Sequence, residues 1–341
     1  MPVVLDAMGS DKFPTPEIKA AIEACKEFNE PVYLVGNESI LSPFLKESGG
    51  APDNLKIIDA PDVLEMGEKP VDAARRKPKN SMAVGMQLLK SGEAQAFVSA
   101  GNTGAIMFNA LRVLGRLPGV QRPALTAMFP VRTGSCVVLD IGANAECRPE
   151  FLSQFAILGA TYAEKALGRE NPRVGLLSNG EEPGKGNQLI QDSYKLIKEL
   201  GLNFLGNVEG KELFAGEVDV VVTDGFTGNI LLKTSESVAK LMTDLLRQEL
   251  TSNLQNKIGA LIAKPAFAAL KKKMDPSEIG AAPLLGIDGL VYVGHGRSDS
   301  VALLNALRAA RQAVKINLLE SLRGAVKDRL VTAAIDSHAA K

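Results

Sequence analysis

FVSAGNTGAIMFNALRVLGR, from Phe97 to Arg116, decides how the rest of the chain is read. An apolar run ends in Ser99-Ala100-Gly101-Asn102-Thr103-Gly104. Apolar residues then recur with helical spacing at Ile106, Met107, Ala110, Leu111 and Leu114. The pattern changes from continuous to 3.6-periodic across six small or polar residues, as a buried strand feeding a helix requires. Small residues at such a junction let a ligand approach the backbone closely, and the helix start offers N–H groups to an anion.

Other parts of the chain repeat the pattern. Apolar runs begin at Val3 (VVLDAM), Val32 (VYLVG), Leu55 (LKIIDA), Ala96 (AFVSAG), Cys136 (CVVLDIG), Arg173 (RVGLLSNG), Asp219 (DVVVTDG) and Leu290 (LVYVG). They are near-continuous in Val, Ile and Leu, which suits a sheet covered on both faces. Helical stretches such as EIKAAIEACKEF and NQLIQDSYKLIKELG separate them. The alternation predicts a layered α/β fold with a mostly parallel sheet. Residues 1–330 read as one large domain, and 331–341 as a frayed tail. From about Glu236 to Met274 the pattern is helical throughout, with Pro265 placed to open a new helix. A helical excursion at about 250–282 is expected to protrude from the body.

The 341 residues are 45% hydrophobic, ample for a large core, and Lys+Arg equals Asp+Glu at 39 each. That balance argues against general nucleic-acid binding, which needs a basic surplus. Three cysteines without paired spacing suggest a reducing compartment, and Cys136 reads as a strand residue. Neither a signal-peptide pattern nor a run of about 18 apolar residues is evident, so the expected location is cytoplasmic.

Five strand ends carry Gly beside Asn, Asp, Ser or Thr: Asp6-Ala7-Met8-Gly9, Ser99–Gly104, Asp140–Asn144, Ser178–Glu181 and Thr223–Asn229. Ligands of open α/β sheets bind beyond the carboxyl ends of strands, so a shared polar site is expected. GEEPGKGN, Gly180 to Asn187, imitates a P-loop but has three residues between its glycines and Gly186 where Ser or Thr is required. Lys185, flanked by glycines just before a helix, can still grip an oxyanion. The GxSxG elbow is absent, and His295 and His338 are the only histidines, which excludes a histidine-rich metal site. His295 follows a strand, between two glycines.

Taken in order, DAMGSD, SAGNTGA, LDIGAN, GLLSNGEEPGKGN, NFLGNVEG, DVVVTDGFTGNILLK and APLLGIDG…GHGRSD resemble the phosphate acyltransferase (PlsX) family of bacterial phospholipid synthesis. The resemblance spans about residues 1–325. Ser10 stands where the family usually has a second Gly, and Asn80-Ser81 replaces a usual Ser-Ser pair. It implies a three-layer α/β/α fold like that of phosphotransacetylases and isocitrate/isopropylmalate dehydrogenases. It further implies a homodimer that moves an acyl group from acyl carrier protein to inorganic phosphate. The acyl phosphate then feeds a membrane glycerol-3-phosphate acyltransferase. No metal or other cofactor is expected.

Phosphate is a competent nucleophile at neutral pH, so the protein has mainly to align it and stabilise an oxyanion. On that basis Lys185 binds phosphate and passes a proton, and Asn229 donates to phosphate or oxyanion. Asn102, Thr103 and Gly104 cradle phosphate, and Ser99 and Gly228 bind phosphate or substrate beside them. Asp224, Asn144 and His295 orient the surroundings, and Asp6 with Met8-Gly9 shapes the floor. Arg308, Arg311 and Lys315, spaced i, i+3, i+7, form the expected docking face for an acidic carrier protein. Between Leu250 and Met274 stand Lys257, Lys264, Lys271, Lys272 and Lys273 with no acidic residue, beside apolar stripes that include Leu261 and Phe267. That pattern suits dimer packing and, at its tip, an anionic membrane surface. A phosphotransacetylase-like enzyme acting on acyl-CoA is the alternative; an oxidoreductase and a docking protein without catalysis fit the strand-end loops less well.

Overall fold

The computed structural model describes residues 2–64, 67–274, 277 and 280–339, with the side chains of 70, 271, 272, 274 and 331–339 left outside the description. The first half builds β1 (Val3–Asp6), α1 (Thr15–Phe28), β2 (Val32–Gly36), α2 (Glu38–Glu47), β3 (Leu55–Asp59), α3 (Pro70–Arg76), α4 (Ser81–Lys90), β4 (Ala96–Ser99) and α5 (Thr103–Val113). A hairpin of β5 (Ala124–Val131) and β6 (Gly134–Leu139) follows. Then come α6 (Pro149–Leu167), β7 (Val174–Leu177), α7 (Gln188–Lys198), β8 (Phe204–Val208), α8 (Gly210–Ala215) and β9 (Val220–Val222). Three helices in succession, α9 (Gly225–Thr251), α10 (Leu254–Ile262) and α11 (Lys264–Met274), precede β10 (Ala282–Leu285), β11 (Leu290–Val293), α12 (Ser300–Lys315) and α13 (Leu318–Ala339).

The strands form one 11-stranded sheet in the order β3-β2-β1-β4-β11-β10-β5-β6-β9-β7-β8. Every run marked as a strand by its apolar continuity is one. The sheet is parallel except around β10 and β5, where β10 runs against both β11 and β5, and β5 runs against β6. β5, β8 and β10 escape a pattern search for physical reasons. β5 contains Pro130, β8 is broken by Gly206, and β10 contains Pro283. Cys136 is a buried β6 residue whose thiol burial pushes up to about 12, so it is an inert core group.

α6 is buried along most of its length, from Phe151 to Ala163, as a helix apolar on all sides must be. Pro149 opens it, and Gly168 closes it in the left-handed conformation. α9 differs entirely. Only Gly225 and Gly228 of its 27 residues are buried, and Val238, Leu241, Met242 and Leu245 lie exposed. α10 buries nothing, with Leu261 at 71% and Ile262 at 76% exposure. α9 and α10 thus leave long apolar faces uncovered. Pro265 stands in the first turn of α11, as its position in the sequence indicated.

Candidate active site at the strand ends

The reversal at β10 and β5 divides the polar strand ends into two groups. β1, β4 and β11 run one way, and β6, β9 and β7 run the other. The five loops expected to form one cluster thus lie on edges of opposite polarity.

On the first edge, Asp6 is fully buried and ties β1 to β4. Its Oδ2 accepts from Ser99 Oγ at 2.6 Å and its Oδ1 from Met8 N at 3.0 Å. A Cβ on Gly9 would lie 2.8 Å from Gly101 N and 2.9 Å from Asp6 Oδ2. Asp6 and Ser99 are thus roofed by backbone and brace the floor from below, out of a ligand's reach. Burial raises the Asp6 carboxyl above its ordinary range. Glu17, in the first turn of α1, accepts from Ser10 N at 3.1 Å, while its Oε2 and Ser10 Oγ have no hydrogen-bond partner. Burial pushes Glu17 up to about 7. Above this floor Asn102 caps α5, its side chain accepting from Ala105 N at 3.1 Å. The first turn of α5 contains no acid, Thr103 is exposed and Gly104 half-buried, so this helix start keeps its affinity for anions. The 294–298 loop is joined to the same edge by Gly294 N donating to Ser99 O at 2.7 Å. Its His295 has its basicity lowered by burial, then by Arg297 and by Lys233 of α9. Sequence reasoning assigned nothing to Lys233 or Arg297.

On the second edge, Leu139, Val222 and Leu176 are aligned by register, so the chain leaves β6, β9 and β7 side by side. Past β7, Asn179 Oδ1 accepts from Gly186 N at 3.0 Å, folding GEEPGKGN back on itself. The exposed Lys185 lays its stem across Gly180, with Cγ 2.8 Å from where a Cβ would be. Two residues later Asn187 caps α7, accepting from Ile190 N at 3.1 Å, again with no acid in the first turn. Past β9, Asp224 is the cap of α9. Its Oδ1 accepts from Thr227 N at 2.9 Å and its Oδ2 from Thr227 Oγ1 at 2.7 Å. Asp224 therefore serves its own helix, and Asn229, expected on a loop, is exposed within the first turns of α9. Asn144 donates its amide to Pro123 O at 2.7 Å and Asp140 Oδ2 at 2.9 Å, so it orients backbone. Thr223 Oγ1 and Ser178 Oγ, buried at the ends of β9 and β7, find no partner in the protein. These hydroxyls were not singled out in the sequence. Unpaired hydroxyls are a mark of a polar site that only the fold reveals.

Elsewhere, Arg308 pairs with Glu27 through a guanidinium–carboxylate contact of 2.5 Å, clamping α12 to α1, and Arg311 pairs with Glu30, just past α1, at 2.6 Å. Arg311 also stacks over Phe28 at 4.7 Å. Lys315 is exposed at the end of α12. Phe267 is half-buried, while the side chains of Lys271 and Lys272 lie outside the described residues. Glu181, Glu209 and Glu212 gather their carboxylates within 4.8 Å, with Lys211 among them at 2.5, 3.6 and 3.4 Å. The lysine occupies the place a cation would take.

A family model described as "Fatty acid synthesis protein" matches residues 1–321. Among curated proteins, the phosphate acyltransferase of Acidobacterium capsulatum is 45% identical over 338 residues, covering 99% of each chain. That of Thermus thermophilus is 47% identical over 324 residues, 95% of this chain and 98% of the relative. Among solved structures, a phosphotransacetylase from Streptococcus pyogenes superposes with a TM-score of 0.61 at 15% identity, covering 92% of this chain and 94% of its own. A 4-hydroxythreonine-4-phosphate dehydrogenase from Klebsiella pneumoniae gives 0.55 at 15% identity, covering 91% and 98%. These two share the fold.

Proposed function

The chain belongs to the phosphate acyltransferase family, and from that premise we propose that it transfers a fatty acyl group from acyl carrier protein to inorganic phosphate. One observation carries the reading. Lys185 and Asn229 follow neighbouring strands, β7 and β9, at the same edge, beside a helix start whose cap is neutral. Segments that leave adjacent strands at one edge support the reading that a cation and an amide donor serve one phosphate-sized group. Phosphate held by Lys185 presents an oxygen to the thioester carbon. The C–O bond forms, the C–S bond breaks, and the thiolate leaves to be protonated. Asn229 donates to the oxygen on which charge develops. The thiol is a good enough leaving group to need little acid assistance. Thr103, Gly104 and the α5 start lie on the opposite edge, reached across α9, and suit the anionic parts of the donor.

Incubation of the protein with acyl-carrier protein and phosphate, then hydroxylamine, tests this. Hydroxamate dependent on both substrates, and formed after EDTA treatment, is expected. Faster product from acyl-CoA than from the carrier thioester would instead favour the phosphotransacetylase-like alternative.

The apolar stripe of α9 suits a second copy of the chain, and the exposed Leu254, Ile258, Leu261 and Ile262 of α10 suit an anionic membrane surface, where the amphiphilic product is consumed. Leu261→Asp with Phe267→Asp should abolish co-sedimentation with anionic liposomes while the dimer persists. No helix among the described residues is long and apolar enough to cross a membrane.

A further inference from the structure

Asp140, the first residue beyond β6, is wholly buried, yet both of its oxygens are saturated. Oδ1 accepts from Leu125 N at 3.0 Å, Gly142 N at 3.2 Å and Ala143 N at 3.0 Å. Oδ2 accepts from Asn144 N at 2.7 Å and Asn144 Nδ2 at 2.9 Å. One carboxylate thereby fixes the whole 141–144 turn to the entry of β5. The turn in turn seats α9. Asp140 N donates to Thr223 O at 3.0 Å, and Gly225 N to Asn144 O at 2.8 Å. The fit admits no side chain: a Cβ on Gly228 would lie 1.9 Å from Asp140 O, and one on Gly225 2.8 Å from Asp140 Oδ2. Asn229 comes next in the chain. Its Cβ and Cγ lie 3.8 Å from where a Cβ on Gly142 would stand, so its amide rests over the turn that Asp140 holds.

We infer that Asp140 is a positioning residue for the acyl transfer, setting the place of the Asn229 amide through the 141–144 turn and the first turn of α9. The inference rests on the reading that Asn229 serves the reaction. A carboxylate suits the role because only an acceptor with two oxygens can collect N–H groups from both sides of the turn. Asn at this position keeps one set of donors and turns an NH2 toward the other.

A double-mutant cycle tests it, with rates taken per folded molecule and KM for phosphate measured alongside. Asp140→Asn should lower kcat by about tenfold to a hundredfold with KM for phosphate changed less than about threefold, and Asp140→Asn/Asn229→Ala should be no slower than the slower single variant. Multiplying losses in the double variant, or a normal kcat in Asp140→Asn, would overturn the proposal. A normal kcat in Asn229→Ala alone removes the underlying reading and the proposal with it. If Asp140→Asn does not fold, Asn144→Ala replaces it in the cycle. That change deletes one donor to Asp140 without stranding a charge, and the same non-additivity is expected.

Discussion

The two polar edges of the sheet satisfy their buried carboxyl groups unequally. At the ends of β1 and β4, Asp6 accepts from Met8 and Ser99, Glu17 keeps one oxygen without a partner, and burial raises both pKa values. At the end of β6, Asp140 is as deeply buried and burial raises it too, but it collects five donors that oppose the rise. The helix starts diverge in parallel. α5 and α7 are capped by neutral amides, Asn102 and Asn187, and keep their positive ends available. α9 is capped by Asp224 and seated on Asp140, so its positive end is already met by negative charge. Motifs that look alike in sequence therefore differ in charge: two helix starts carry neutral caps, and the third meets two carboxyl groups.

The largest effect that could break this contrast lies on the second edge. Lys185→Ala and Asn229→Ala should each lower kcat by on the order of a hundredfold, the size typical of losing one electrostatic donor, with melting temperature little changed. Near-normal turnover in both would move the chemistry to the other edge.

Glu17 gives the next largest effect, in stability. Its folded pKa lies above the unfolded one, so its contribution is full below about 4.5 and is lost as pH rises to about 7. Glu17→Gln offers a donor toward the unpartnered Ser10 Oγ and should stabilise the protein at pH 8 by about 2 kcal/mol, and by much less at pH 5. Denaturant titrations at the two pH values measure it, and parallel curves would mean that Glu17 stays ionised.

Exchanging the caps sharpens the comparison further. Asn102→Asp keeps the cap of α5 but adds a negative charge, and should raise KM for an anionic substrate about tenfold. Asp224→Asn should leave both KM values within about twofold, because the Asp224 carboxylate caps its own helix through Thr227. Equal responses in the two variants would erase the distinction between the helix starts.

The smallest effect is expected at the proposed carrier face. Glu27 and Glu30 already neutralise Arg308 and Arg311, so Lys315 carries what charge remains. Lys315→Glu should raise KM for the carrier thioester about two- to threefold at low salt and leave that for phosphate alone. An effect on phosphate instead would relocate docking.

Much of this was legible in the chain. Continuous Val-Ile-Leu runs reveal strands because both faces of this sheet are covered, and Asn or Asp before a helical period reveals caps. Strand direction was not legible. Nothing in APLL or ALTAMFPV announces that β10 and β5 reverse the sheet, and that reversal decides which polar loops meet. TDGFTGN reads as a turn because glycines usually break helices. Here Gly225 and Gly228 are inside α9, where the close approach of Asp140 excludes any Cβ. Asp140 stands at a strand end with nothing in the sequence to mark its role, since a buried acceptor is recognised only by its donors.

β10 holds β11 through its first two residues and β5 through its last two, and no residue of β10 pairs on both sides. The ladder is thus a staircase with a single tread between two landings. If one half moves against the other, this step, where no β10 residue is held on both sides, is where the ladder gives first. Such movement would change the span from the α5 start to Asn229 and leave both intact. The distance between the α5 start and Asn229 is therefore tied to a strand that gives each of its residues to one neighbour alone.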